Sequence, residues 1–184
     1  TTLFRSLCGF GIDEIATAFL SNRETISKRL YRAKEKLRTE CVAIAFPEDH
    51  EIDNRLHAVL TTLYLLFNEG YYSESSDAIL REDLCLEAMR LTHLLLGNAS
   101  TCKPSVNALF ALMCFHSSRF PARRNIHGEM ILYNQQDEDL WDKALIAKGA
   151  YHLNKASQGK WLSRYHLEAG IDRKSTRLNS SHDQ

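Results

Sequence analysis

Apolar residues recur at helical spacing in successive segments of the 184-residue chain, which predicts amphipathic helices that pack against one another. Gly70 and Gly97 stand at the expected ends of two segments, and Pro104 stands at the expected start of a third. Because these turns are short, neighbouring helices are expected to be antiparallel, as in a stack of helical hairpins. The apolar stripes are Leu56, Val59, Leu60, Leu63 and Phe67, then Leu84, Ala88, Leu91 and Leu95, then Val106, Leu109, Phe110 and Met113.

One segment departs from this helical pattern. In Ile126 to Tyr133, Gly128 is followed by an apolar run, which favours a short extended stretch. A further helix is then predicted through Trp141 and Tyr151, with both aromatic side chains in the core.

The segment Ile12 to Leu37 carries the pattern of a helix-turn-helix. Two glycines break an incoming helix, and the short helix after them begins with two acidic residues, whose charges suit a helix N-terminus. The segment Leu20 to Asn22 is the predicted turn, and Asn22 is the predicted N-cap of the second helix. The glycines are Gly9 and Gly11, the acids are Asp13 and Glu14, and the predicted inner face is Ile15, Ala16 and Phe19.

The second helix has an apolar side and a basic side. At 100° per residue, Leu30, Ala33 and Leu37 fall within roughly 40° of Ile26 and form the predicted core stripe. The first turns of the opposite side are predicted to read base edges in the major groove of DNA, and the later cations to contact phosphates. The predicted base-reading residues are Glu24, Thr25, Ser27 and Lys28, the predicted phosphate contacts are Arg29, Arg32 and Lys36, and Asn22, Arg23 and Tyr31 complete the predicted DNA-binding surface.

Charge is distributed unevenly, although the formal net charge is zero. Residues Arg23 to Arg38 hold seven basic and two acidic residues, a net charge of +5, whereas Glu48 to Glu87 hold ten acidic and two basic residues, a net charge of −8. A basic helix face alone is usually only a solvated face. Here the cap, the glycines, the core stripe and the cations coincide, which favours DNA binding. The opposite net charges of the two segments also suggest an intramolecular contact between the basic N-terminal and acidic C-terminal halves.

Composition narrows the class of protein further. No apolar run approaches the ~20 residues of a membrane span, so no membrane association is expected. The five cysteines lack a Cys-x-x-Cys pair, which favours reduced thiols in the cytoplasm. The eight histidines lack metal-binding spacing, so neither a metal nor a cofactor is expected.

One group of residues permits a small-molecule or catalytic site in a helical groove. It comprises Asn68-Glu69-Gly70 with His116, Arg119 and Arg123. The simpler interpretation is a helix C-cap at Gly70 and an ion pair between Glu69 and an arginine, so no enzymatic activity is predicted.

The sequence resembles the extracytoplasmic-function sigma factors of RNA polymerase, in the group with a C-terminal, TPR-like helical extension. Strings similar to the family's region 4 are Leu7-Cys8-Gly9, Glu14-Ile15-Ala16, Thr25-Ile26 and Arg29-Leu30-Tyr31-Arg32-Ala33-Lys34. Strings similar to the extension are Pro47-Glu48-Asp49-His50, Leu63-Tyr64-Leu65-Leu66-Phe67-Asn68-Glu69-Gly70-Tyr71, Pro121-Ala122-Arg123, Asp137, Trp141-Asp142 and Ala144-Leu145-Ile146.

The resemblance implies a fold, partners and a function. Region 4 would read the −35 promoter element and dock on the RNA polymerase core, and the extension would regulate the factor. The implied fold is all-α: a sigma region 4-like helix-turn-helix at residues 1–40, a linker at 41–52 and an antiparallel, TPR-like helical-hairpin domain at 53–171. The family's region 2 would lie upstream of Thr1, so this fragment is not expected to start transcription alone.

Both ends of the chain are expected to be cut. Leu3, Phe4 and Leu7 are typical of the last turns of a helix that begins further upstream. Residues Asp172 to His182 correspond to the translation of a common sequencing adapter, so residues 172–184 are predicted to be a non-native and disordered tail.

Two other classes of protein remain open. One is a helix-turn-helix transcriptional regulator whose helical part is a sensor or protein-interaction domain. The other is an interaction scaffold, in which the acidic helices bind a protein partner.

Overall fold

The computed structural model describes residues 11–40, 47–72, 81–127 and 129–178, and these residues form seven α-helices and no β-strand. The all-α prediction is therefore confirmed. Gly9, the string Leu7-Cys8-Gly9, Gly128, residues 41–46 of the predicted linker and residues 179–184 lie outside the described residues. The helices are α1 (Ile12–Ala18), α2 (Arg23–Thr39), α3 (Asp49–Tyr71), α4 (Glu82–Leu96), α5 (Pro104–Ser117), α6 (Lys143–Ala156) and α7 (Arg164–Leu178).

The chain divides into two compact units, Thr1–Leu84 and Cys85–Gln184. This boundary lies near the start of α4, whereas the sequence pattern predicted a linker at residues 41–52. Within that predicted linker, α3 already begins at Asp49, because Glu51 accepts the N–H of Glu48 and caps the helix.

In the first unit, α1 packs against α2 and contacts α3. Ile15 and Ala16 of α1 are buried, as are Ile26 and Leu30 of α2. The prediction that Phe19 completes the inner face is wrong, because its side chain is 38% exposed at the end of the short α1.

The core stripe of α2 is shorter than predicted. Ala33 is half-buried, and Leu37 is 49% exposed. α1 has only 7 residues against 17 in α2, so it is too short to cover the last turns of its partner.

Helix α3 buries most of its predicted stripe, including Leu56, Leu60, Leu63 and Phe67. The prediction that Gly70 is the C-cap of this helix is wrong, because the C-cap is Tyr72. Gly70 is a buried helical residue, and α3 ends one residue later. The Gly70 carbonyl accepts the backbone N–H of Arg81 at 2.8 Å, so a hydrogen bond joins the end of α3 to the residue that precedes α4.

In the second unit, α5 is buried nearly all round and packs against α6 and α7. Such a helix is a core element, so the amphipathic pattern predicted for this segment describes only part of its surface. Helix α4 contacts α5 through Thr92, whose hydroxyl lies 3.5 Å from the sulfur of Met113, and through the rings of His93 and Phe110.

The buried face of α4 is shifted by about one residue from the predicted stripe. Ala88 is buried as predicted, but the other buried positions are Cys85, Met89 and Thr92. This face holds the small thiol of Cys85 and the side chain of Thr92. The polar Thr92 is tolerated there because its hydroxyl donates to the carbonyl of Ala88 at 2.7 Å.

The segment between α5 and α6 contains three short 3-10 turns and an isolated antiparallel bridge between Arg124 and Met130. Met130 belongs to the segment Ile126 to Tyr133, for which an extended stretch was predicted, whereas Arg124 precedes it. Trp141 is buried, as predicted, but precedes α6 rather than belonging to it. Tyr151 is within α6 and is 55% exposed, so its predicted place in the core is wrong.

Helix α7 runs through Asp172 and ends at Leu178, so the predicted disorder from residue 172 is wrong for residues 172–178. The Asp172 carboxylate lies 2.9 Å from Nε2 of His116 and 3.1 Å from Nη1 of Arg119. Burial alone would raise the pKa of Asp172, but the hydrogen bond from His116 and the two positive charges hold that pKa below its ordinary value. These contacts join the middle of α7 to the C-terminal end of α5.

Candidate nucleic-acid interface

The start of α2 is fixed by its N-cap. The Oδ1 atom of Asn22 accepts the backbone N–H of Thr25 at 2.7 Å, as the sequence predicted. This bond satisfies one of the N–H groups that a helix start leaves without a partner. Arg23, the first residue of α2, lies 2.8 Å from the Asp13 carboxylate of α1, so the first turns of both helices are joined by an exposed ion pair.

The connection between α1 and α2 contains one unusual residue. Leu20 has a φ of 47° and is 97% exposed. This left-handed conformation is disfavoured for residues that carry a Cβ atom, and glycine usually occupies it. No residue pattern indicates this turn geometry, because leucine disfavours it.

The predicted base-reading residues lie on the first two turns of α2. Glu24 and Lys28 are exposed and form an ion pair of 2.6 Å, one helical turn apart. Thr25 and Ser27 are half-buried. The carboxylate and the ammonium group therefore satisfy each other at the surface, and a bound base would have to replace that contact.

The predicted phosphate contacts lie on the exposed side of α2. Arg29 and Arg32 are exposed, and neither makes an ion pair among the described residues. Lys36 is exposed and lies 3.7 Å from Glu40, at the end of the helix. Tyr31 is 70% exposed beside these cations. All predicted site residues thus belong to one helix and its cap.

Two further cations of α2 were not included in the predicted surface. Lys34 and Arg38 are exposed. At 100° per residue, both lie on the opposite flank of the core stripe from Arg29, Arg32 and Lys36. They therefore do not extend the surface that those three cations form, and Arg38 pairs with Glu35 at 3.1 Å.

The electrostatics of this surface come from the side chains and from the helix itself. The N-terminus of a helix carries partial positive charge, which favours an anion at the Asn22 end of α2. The described residues contain no group of three or more histidine, cysteine, aspartate or glutamate side chains that is able to hold a metal ion. The described helices also include none with the length and apolar character that crossing a membrane requires.

The second unit buries two arginines of the group for which the sequence permitted a small-molecule site. Arg119 and Arg123 are almost fully buried. Arg119 contacts Asp172 and lies 2.9 Å from Nδ1 of His116, while its guanidinium stands over the ring of Tyr133 at 5.5 Å. These contacts are structural, and the predicted pair between Glu69 and an arginine stays a prediction.

Comparison with known proteins identifies relatives without an assigned activity. Residues 55–157, more than half of the chain, match a family of unknown function, DUF6596. An uncharacterized protein of Rhizobium meliloti (strain 1021) is 32% identical over 167 residues, which are 91% of this chain. The matched region spans only 39% of the length of that relative. No solved structure matches the chain.

Proposed function

Because the chain belongs to the DUF6596 family, whose function is unknown, we propose a function from its own residues and from their resemblance to the extracytoplasmic-function sigma factors. The protein is a sigma factor fragment that recognises the −35 promoter element, binds the RNA polymerase core and carries a regulatory helical extension. In this proposal α1 and α2 are the helix-turn-helix, and helices α3 to α7 are the TPR-like stack.

The observation that carries the proposal is the two-sided character of α2. Its inner side is anchored by buried Ile26 and Leu30, and its outer side exposes Arg29 and Arg32. A helix that enters the major groove needs this division, because one side must be held rigidly while the other carries cations and base-reading groups. Asn22 fixes the end of the helix at which base contacts are made.

DNA binding can be tested with fluorescence anisotropy on promoter-like and scrambled duplexes over a range of salt concentrations. Arg32→Ala should weaken binding to every duplex and reduce the salt slope by about 0.9, because it removes one phosphate contact. Lys28→Ala should instead reduce the preference for the promoter-like duplex, since one base contact is worth about 1–3 kcal/mol of discrimination. Arg90→Ala, which removes an exposed cation of α4, is the matched control.

Two results would contradict the DNA-binding proposal. The first is an absence of binding by the wild-type protein at low salt. The second is an equal effect of Arg32→Ala, Lys28→Ala and Arg90→Ala, because a distributed charge effect does not depend on the position of the cation.

A helix-turn-helix transcriptional regulator with a helical sensor or protein-interaction domain would use the same surface of α2. Binding to purified RNA polymerase core separates the two proposals. A sigma factor fragment should be retained by the core enzyme, and a variant of the α2 surface such as Arg32→Ala should be retained equally. Retention of DNA binding without core binding would favour the regulator.

The unequal charge distribution supports a regulatory contact in the same proposal. The acidic residues of α3 would compete with DNA for the cations of α2, which makes the extension an inhibitor of DNA binding. Replacing Asp49 and Asp53 by asparagine should then tighten DNA binding more than replacing Glu87 and Asp139, two exposed acids of the second unit, by their amides, which changes the net charge equally. Equal tightening by both pairs would exclude a specific masking contact.

A further inference from the structure

The short helix α1 carries two adjacent acidic residues that contact different parts of the first unit. Asp13 contacts Arg23 at the start of α2, at 2.8 Å. Glu14 accepts the backbone N–H of Gly11 at the start of α1 and lies 3.7 Å from Nη1 of Arg81. Both side chains in the second pair are partly shielded, with 33% of Arg81 and 20% of Glu14 exposed.

Arg81 is itself fixed at the boundary between two helices. Its backbone N–H donates to the carbonyl of Gly70 near the end of α3 at 2.8 Å. Its second guanidinium nitrogen lies 3.6 Å from Asp83 in the first turn of α4. Arg81 therefore joins three elements: its backbone contacts the end of α3, and its guanidinium contacts the first turn of α4 and the carboxylate that caps α1.

The position of α1 depends on such contacts, because a helix of 7 residues does not persist by itself in water. Helix α1 in turn packs against α2 through its buried residues Ile15 and Ala16. A contact that holds α1 therefore also holds the inner side of α2. The outer side of α2 then has a defined orientation.

We propose that Arg81 is a positioning residue that links the helical extension to α1 through Glu14 and thereby sets the DNA affinity of α2. The DNA part of this inference rests on the proposed function. The link gives the extension a direct physical route to the DNA-reading helix. A ligand or partner that shifts the start of α4 would alter DNA binding through this contact.

The link is tested by hydrogen exchange of the Phe19 amide, which donates to the Ile15 carbonyl in the last turn of α1. Arg81→Ala should speed this exchange about two- to five-fold, the range expected for loss of one partly exposed ion pair. Arg81→Lys should restore part of the protection. Arg90→Ala is the matched control, because Arg90 pairs with Glu87 of its own helix.

The same variants are then measured for DNA affinity, with Glu14→Gln as a partner variant that still accepts the Gly11 N–H. Arg81→Ala should weaken binding about two- to five-fold, and the Glu14→Gln/Arg81→Ala double variant should be no weaker than Arg81→Ala alone. Equal Phe19 exchange in Arg81→Ala and Arg90→Ala would overturn the link. If Arg81→Ala speeds exchange but Arg32→Ala leaves DNA affinity unchanged, the proposed function is refuted and the structural link is retained.

Discussion

Helices α5 and α6 approach closely at Gly149, and this contact allows a quantitative prediction. A Cβ atom added at Gly149 would lie 2.8, 2.9 and 3.1 Å from three ring carbons of Phe115. Carbon atoms in favourable contact are about 3.5–4.0 Å apart. Gly149→Ala therefore requires the Phe115 ring or the α6 backbone to move, and the ring is fully buried.

The expected cost follows from two opposing contributions. Overpacking of a core by one methyl group costs about 1–3 kcal/mol. The higher helix propensity of alanine returns up to about 1 kcal/mol. Gly149→Ala should therefore lower the free energy of unfolding by about 1 kcal/mol.

Gly170 provides a matched control within the same unit. It lies in helix α7, and an added Cβ atom would meet nothing within 4 Å. Gly170→Ala gains helix propensity without overpacking, so it should raise the free energy of unfolding by up to about 1 kcal/mol. The difference between the two variants isolates the overpacking cost, about 1–3 kcal/mol.

Urea unfolding followed by far-ultraviolet circular dichroism measures both variants, with unchanged m values as the condition for the comparison. Equal stability of Gly149→Ala and Gly170→Ala would refute the reasoning, since the ring would then move aside without cost. Adding Phe115→Leu should destabilise Gly149→Ala less than it destabilises the wild-type protein.

Three further predictions concern the α1–α2 connection and the half-buried His152. Leu20→Gly should be about 1 kcal/mol more stable than Leu20→Ala in urea unfolding, because only glycine removes the left-handed strain; at an ordinary exposed position alanine is the more stable. Asn22→Ala should lower the free energy of unfolding by about 0.5–2 kcal/mol through loss of the cap, whereas Asn22→Asp should retain most of it. Burial first, and then the charges of Lys148 and Lys155, lower the pKa of His152 from its ordinary value of 6.5. The contribution of neutral His152 to stability is therefore present above pH 6.5 and is lost as the pH falls through the lowered pKa. His152→Gln should flatten this part of a stability–pH curve. An unchanged curve would contradict the assignment.

The helical class and some helix ends could be predicted, because apolar spacing, Asn22 and Pro104 act locally. The cap at Asn22 and the helix start at Pro104 are where the pattern put them. Errors arose where a neighbouring helix decides the outcome. Leu37 has the right spacing for the core but is 49% exposed, because the short α1 does not reach it. Gly70 continues a helix that its sequence suggested would end.

The candidate surface could be predicted only at the level of residue types. A helical wheel places Lys28 and Arg32 on the outer side, and both are exposed. The i, i+4 spacing of Glu24 and Lys28 is the one that permits their ion pair, whereas spacing does not reveal the distant contact between Glu14 and Arg81. The second contact joins residues far apart in sequence, so no local pattern contains it.

The full burial of α5 has a consequence for synthesis of the chain on the ribosome. Its apolar surface emerges before α6 and α7, the two helices that cover it, have been translated. Until those segments leave the exit tunnel, the nascent chain exposes the apolar surface of α5, which is prone to aggregation and is the kind of surface that chaperones bind. Slow codons between residues 117 and 164 would prolong that vulnerable interval and lower the yield of folded protein.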